Sequence, residues 1–209
     1  VAERPHHLVV VAGTGTEVGK TWVAASLAEA ARLEGRRVAA RKVAQSFDPG
    51  TGPTDAEVLA AATGEAVGTV CPTHRSYELA LAPFMAAERL GRPPFTLADL
   101  VAELSWPAGV DLGLVEPAGG VRSPMSADGG DTVDLIAAVR PDAVLLVGDA
   151  GLGSINAVRL SLDALHGWPV TVVLNRYDDT DALHRANRAW LDAHVDAEVV
   201  TEPAALVPR

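Results

Sequence analysis

Residues 8–33 constrain the fold more than any other stretch of the chain. The apolar run Leu8-Val9-Val10-Val11 leads into Gly13-Thr14-Gly15-Thr16-Glu17-Val18-Gly19-Lys20-Thr21, and a helix-forming Ala/Leu/Glu segment follows. A β-branched run, a Gly/Thr-rich turn and then a helix is the layout of a phosphate-binding loop. In that layout successive backbone N–H groups of the turn, together with the start of the helix, face an anion. Lys20 adds a point charge at the β/γ-phosphates, and the Thr21 hydroxyl is placed to coordinate Mg²⁺. The spacing departs from G-x-x-x-x-G-K-[ST] at one point, because the first glycine falls at Thr14 and Gly13 comes one residue early. The alternative is an ordinary tight turn that happens to contain Gly-Lys-Thr. Placement between a strand and a helix argues against it.

The rest of the chain continues the alternation. After a helix over 20–33 closed by Gly35, a strand is expected over 37–44, and Asp48-Pro49-Gly50-Thr51-Gly52-Pro53 reads as a loop. Thr54, with Glu57 three residues on, reads as the N-cap of a helix through about Ala62. Helices are expected over 79–90, with Pro83 in the first turns, and over 97–104, ending before Trp106-Pro107. The second half predicts a strand over 111–115 ending at Glu116, a helix over 131–140 and a strand over 143–147. A helix over 154–165, a strand over 170–174 ending at Asn175 and a helix over 182–194 complete the pattern. Short apolar strands alternating with helices predict an α/β fold, a single domain spanning 1–209 with a mostly parallel sheet flanked by helices on both faces. Ligands in such sheets bind beyond the carboxyl ends of the strands. Lys20, Thr21, Ser46, Glu116 and Asn175 all fall there.

Composition removes several classes of function. A formal net charge of −10 over 209 residues argues against a broad nucleic-acid footprint. Cys71 is the only cysteine, which excludes an intramolecular disulfide and favours a reducing, cytoplasmic compartment. No apolar run approaches the length of a membrane span, and His6-His7 precede a strand rather than a signal-peptide core. The tail Leu206-Val207-Pro208-Arg209 looks like a protease-site remnant of expression, or is equally native.

Several side chains carry chemistry on their own account. Asp55 and Glu116 are carboxylates at loop or strand-end positions within reach of an Mg²⁺ beside Thr21, and Mg²⁺ takes one or two carboxylates with phosphate oxygens and water. Asp55 is equally explained as first-turn helix stabilisation next to Thr54. Lys42, inside the second strand, is either a site cation or a snorkelling surface lysine. The Asn175 amide either reads a purine edge or caps the strand end.

With these residues in place, the chain resembles the dethiobiotin synthetases. The marks are the loop at 13–21, Lys42 with Ser46 four residues on, Thr54-Asp55, Leu81-Ala82-Pro83 before Ala86-Ala87-Glu88, Val115-Glu116 before Ala118-Gly119-Gly120, Gly153-Ser154-Ile155-Asn156, and Asn175. The loop alone is shared by many nucleotidases; the ordered set, spanning nearly the whole chain, is far more specific. The resemblance implies a fold of the P-loop NTPase type. It also implies ATP- and Mg²⁺-dependent closure of a cyclic urea on 7,8-diaminononanoate with CO₂ or bicarbonate. It further implies that Gly15, Thr16, Glu17, Val18, Gly19, Lys20 and Thr21 hold the ATP phosphates, with Asp55 and Glu116 beside them and Asn175 and Pro203 at the adenine. By the same resemblance Thr21, Asp55 and Glu116 are expected to bind the metal, Lys42 and Lys20 to act in catalysis, and Thr16, Lys42 and Ser46 to contact substrate. The resemblance also implies that the substrate carboxylate binds a helix N-terminus at Gly151, Leu152, Gly153, Ser154 and Asn156 of a second subunit, and hence a homodimer. This chain departs from the family at Pro117, where glycine is usual, at Lys42-Val43-Ala44 in place of Lys-Pro-Val, and at Ala157 in place of histidine. Two other classes share parts of the pattern. Partitioning-type ATPase switches carry a lysine where this chain has Gly15, and cobyrinate-type amidotransferases need a further domain with a nucleophilic cysteine, for which Cys71 is poorly suited.

Overall fold

The protein is described by a computed structural model covering residues 3–207. Of the tail singled out above, Pro208 and Arg209 lie outside the described residues. Leu206 and Val207 pack against the core, so they serve the fold whatever their origin.

The described residues form eight strands and eight α-helices, in the order β1 (His7–Gly13), α1 (Lys20–Leu33), β2 (Val38–Lys42), β3 (Gln45–Ser46), α2 (Asp55–Thr63), α3 (Val67–Val70), β4 (Ser76–Tyr77), α4 (Pro83–Arg89), α5 (Leu97–Ala102), β5 (Leu112–Glu116), α6 (Thr132–Val139), β6 (Ala143–Asp149), α7 (Ser154–Ala164), β7 (Val170–Asn175), α8 (Ala182–His194) and β8 (Glu198–Val200). Six strands form one sheet in the order β2-β5-β1-β6-β7-β8, and β3 and β4 form a short separate ladder. Every pairing is parallel. The expectation of a parallel sheet is met.

The period-2 geometry of a strand divides the core in two. Leu8, Val10 and Ala12 of β1 face one cluster with residues of α4 to α8, including Ala86, Leu100, Leu135, Val158 and Leu191. Val9 and Val11 face the other, with Val23, Leu27, Leu59 and Val70 of α1, α2 and α3. Helices therefore cover both faces, and continuous apolar strands are the sequence signature of that arrangement.

Local chemistry decides the boundaries that differ from expectation. The segment 79–82 is not helical; α4 starts at Pro83, its first residue, after Ala82 in an extended conformation (φ −57°, ψ 140°). Proline suits the first helical position, where its missing N–H costs nothing, and disfavours helix in the residue before it. The second strand ends at Lys42, and Gln45–Ser46 forms a separate ladder with Ser76–Tyr77. The fifth helix stops at Ala102, short of 104. Thr54 forms the expected capping box with Glu57.

Candidate active site

Parallel register brings the first charged pair together. Lys42 and Glu116 are the last residues of neighbouring strands and lie opposite each other in the ladder. Lys42 Nζ donates to Glu116 Oε1 at 2.6 Å and lies 2.6 Å from Asp55 Oδ2. Asp55 is the first residue of α2, held there by the Thr54 cap. Gln45 braces the same helix start, accepting from Ala56 N through Oε1 at 2.9 Å and donating to Ser76 Oγ through Nε2 at 2.9 Å. Thr21 Oγ1 lies 2.8 Å from Asp55 Oδ1 and 2.9 Å from Glu116 Oε1.

Lys42 is thus no surface lysine: 3% of its side chain is exposed, and Glu116 is 1% exposed. Burial pulls the Lys42 pKa down, but the Glu116 and Asp55 charges outweigh it and hold the ammonium protonated well above the ordinary lysine range. Burial pushes the Asp55 carboxyl up, yet Lys42 and the Thr21 hydrogen bond leave it below the usual carboxylate value. The helix-start reading of Asp55 holds, and the same side chain also belongs to the charge cluster.

The phosphate loop fills the space beside this cluster. Thr14 N donates to Val147 O at 2.9 Å, tying the loop to β6. Gly19 precedes α1 with φ +94°, and no side chain caps that helix among the described residues. Its first N–H groups are therefore available to an anion. Lys20 Nζ reaches back to Gly15 O at 3.1 Å. Burial, reinforced by the Lys42 charge, lowers the Lys20 pKa to about 8 despite the opposing pull of Glu116 and Asp55. The early glycine has a packing cause: a Cβ on Gly13 would stand 2.9 Å from Lys20 Cδ and 3.0 Å from Val18 Cγ2. Gly120 lets the strand-end loop approach equally closely, because a Cβ there would meet Gly15 Cα at 3.2 Å.

These groups open into a cavity of about 820 Å³ lined by Thr16, Glu17, Gly19, Lys20, Thr21, Lys42, Ser46, Asp55, Glu116 and Arg176, among others. Ser46 stands on its wall with its hydroxyl donated to Leu81 O. Asn175 is not among the lining residues. Its Nδ2 donates to Val18 O at 2.9 Å and packs on Gly19, where a Cβ would stand 1.9 Å away. Pro203 is buried in a 3₁₀ turn at 203–206 that packs on α1. Gly151, Leu152, Gly153, Ser154 and Asn156 also lie outside this cavity. There Gly153 precedes α7 with φ +91° and no side chain caps the helix among the described residues, while Ser154 Oγ is buried without a hydrogen-bond partner. Arg176 and Gln45 were not legible as site residues, because neither belongs to a motif.

A hydroxyl and two carboxylates form an all-oxygen donor set, and Glu116 Oε2 is buried without a hydrogen-bond partner. An orphaned carboxylate oxygen beside a threonine hydroxyl fits a hard cation such as Mg²⁺.

Comparison with known proteins shows the family. An AAA domain family profile matches residues 7–202. An ATP-dependent dethiobiotin synthetase from Rhodococcus jostii is 38% identical over 198 residues, covering 92% of this chain and 84% of that protein. The chain belongs to the dethiobiotin synthetase family. Dethiobiotin synthetases from Caulobacter vibrioides and Streptomyces coelicolor are 41% and 43% identical over 78% and 74% of this chain, spanning 75% and 63% of their own lengths. Among solved structures, the signal recognition particle receptor FtsY from Elizabethkingia anophelis aligns with a TM-score of 0.55 at 16% identity, over 95% of this chain and 59% of that one. A plasmid partition protein from Borrelia burgdorferi aligns with a TM-score of 0.53 at 10% identity, over 95% and 91%. At such identities the likeness speaks for the fold alone. Cys71 is buried, and burial pushes its thiol up to about 12, the reverse of an activated nucleophile.

Proposed function

We propose that this chain is an ATP-dependent dethiobiotin synthetase acting on 7,8-diaminononanoate, CO₂ and ATP, with dethiobiotin, ADP and phosphate as products. One substrate amine adds to CO₂ and loses a proton, giving a carbamate. A carbamate oxygen then attacks the γ-phosphorus, the bond to the ADP oxygen breaks, and a carbamic–phosphoric anhydride results. The second amine attacks the carbonyl carbon, phosphate departs with the C–O bond electrons, and the amine proton is lost as the urea ring closes.

The observation that carries this reading is the buried Lys42 ammonium between Glu116 and Asp55, the two carboxylates that also meet the Thr21 hydroxyl of the phosphate loop. A permanently charged lysine cannot serve as a base. It can neutralise a carbamate and the oxygens of a moving phosphoryl group, and phosphoryl transfer depends on such positioning and charge compensation. Lys20 and the loop N–H groups hold the triphosphate. Thr21, Asp55 and Glu116 would hold Mg²⁺, which when bound neutralises charge on the β- and γ-phosphates. Ser46 and Thr16, which both line the cavity, contact the substrate. The Asn175 amide oxygen, which accepts no hydrogen bond among the described residues, is left for the adenine, and Pro203 is the second residue assigned to the base.

The substrate carboxylate is taken by 151–156 of a second copy. The orphaned Ser154 hydroxyl at an uncapped helix N-terminus supports that role. The working unit is then a homodimer, with neither nucleic acid nor membrane as a partner and the cytoplasm as its compartment. No helix among the described residues is long and apolar enough to cross a membrane.

The test is conditional nucleotide turnover. ADP and phosphate should form only when diaminononanoate and bicarbonate are both present. ATP hydrolysis at the same rate without either would point to an ATPase switch instead.

A further inference from the structure

The turn after β7 contains an unusual backbone choice. Arg176 adopts the left-handed conformation (φ +56°), and so does Glu17 in the phosphate loop (φ +60°). For a residue with a Cβ this conformation costs roughly 1 kcal/mol or more, and it persists only where surrounding contacts hold it. The contacts that hold both residues involve the same side chain. Arg176 Nη2 donates to Glu17 O at 2.9 Å, and Nη1 donates to Asp149 Oδ2 at 3.1 Å. Asp149 Oδ1 accepts in turn from Gly151 N at 2.8 Å. The Gly151 N–H above all, helped by the Arg176 guanidinium, outweighs the burial penalty and keeps the Asp149 carboxyl below its usual range, so the brace stays charged.

Asn175 performs the neighbouring task on Val18 O. Two consecutive side chains from one strand end therefore pin two consecutive loop carbonyls. In a planar trans peptide the C=O and the following N–H point in opposite directions. Fixing Glu17 O sets the direction of the Val18 N–H, and fixing Val18 O sets that of the Gly19 N–H. Arg176 and Lys20 both line the cavity.

We propose that Arg176 is a positioning residue for the nucleotide triphosphate, acting through the Glu17 carbonyl to hold the loop N–H groups in their binding orientation, with Asp149 as its brace. Because Asp149 also holds Gly151, the brace ties the phosphate loop to the segment leading into α7. The inference rests on the nucleotide-site reading above.

The experiment measures ATP KM, kcat and the inhibition constant of inorganic tripolyphosphate for wild type, Arg176→Met and Arg176→Lys. Methionine retains much of the apolar stem without the fork, and lysine keeps the charge on a single nitrogen but lacks the planar fork that presents separate N–H groups to Glu17 O and Asp149. Loss of an exposed, charge-assisted hydrogen bond should raise the ATP KM about fivefold in Arg176→Met. The tripolyphosphate constant should rise by the same factor, kcat at saturating ATP should stay within about threefold, and Arg176→Lys should fall in between. The common shift for a ligand with no base places the effect on phosphate binding. KM and inhibition constants within twofold of wild type would overturn the proposal, as would a large kcat loss at unchanged KM. If Arg176→Met does not fold, the same two criteria applied to Arg176→Lys decide the matter. Failure of tripolyphosphate and ATP to compete in wild type would overturn the nucleotide-site reading itself.

Discussion

Replacing Lys42 by methionine separates chemistry from nucleotide binding, and the structure sets the size of each effect. The ammonium touches Glu116 and Asp55 at 2.6 Å each, and Glu116 is almost fully buried. Removing one partner of a buried ion pair costs about 3–5 kcal/mol. Thr21 remains as a donor to Glu116 and Asp55 is partly solvated, so the lower figure applies. For a chain of this length about 3 kcal/mol corresponds to a fall in Tm of roughly 6–12 °C. Loss of a preorganised charge at the reacting centre should lower kcat by about 10²–10³. ATP affinity should change by less than about threefold, because Lys20 and the loop are untouched and an interaction made mainly in the transition state lowers kcat without matching loss of ground-state binding. Calorimetry with ATP, a thermal melt and product analysis on one preparation give all three quantities. A folded variant that retains product formation within about threefold of wild type would reduce Lys42 to a structural ion pair. An unchanged Tm would contradict the buried pair itself.

Glu116→Gln should raise the Mg²⁺ concentration needed for half-maximal activity, and superimposable metal titrations would remove Glu116 from the cation site. Lys20→Ala should abolish turnover with the fold retained, since several kcal/mol of transition-state stabilisation go with the charge; wild-type turnover in that variant would contradict the loop assignment. The folded pKa of Lys20, about 8, lies below its unfolded value of 10.5, so the unfolded chain binds the extra proton between those two pH values. Stability from this group should therefore rise as pH rises from 8 to 10.5, while ATP binding should weaken above pH 8 and take up a proton, which calorimetry in buffers of different ionisation enthalpy detects. Binding independent of pH between 7 and 9.5 would place Lys20 away from the phosphates. Glu65→Ala should cost about 3 kcal/mol, because Arg41, 5% exposed, loses its 2.8 Å partner and the Ala40 N–H loses its acceptor; a Tm within 2 °C of wild type would refute that.

The strongly periodic or chemically marked parts of the chain were legible before the structure. The α1 and α8 bounds, the Thr54 cap and the charged strand ends followed from apolar runs and capping residues. Lys42 was undecided, because sequence cannot show that the register of two strands brings it to Glu116. Ladders of two residues such as 45–46 with 76–77, and the short strand at 198–200, leave too few side chains to display a period. Arg176 was invisible for another reason: its position depends on a left-handed turn that an arginine does not advertise. Gly13 looked like an offset in the motif and proved to be the bed for the Lys20 stem.

The most direct measurement incubates the full chain with 7,8-diaminononanoate, ¹³C-bicarbonate and Mg-ATP and follows the product by mass. Dethiobiotin carrying one ¹³C at the ureido carbon, formed in step with ADP and absent with Lys20→Ala, is the expected result. ADP release by the wild type with no labelled dethiobiotin would contradict the account.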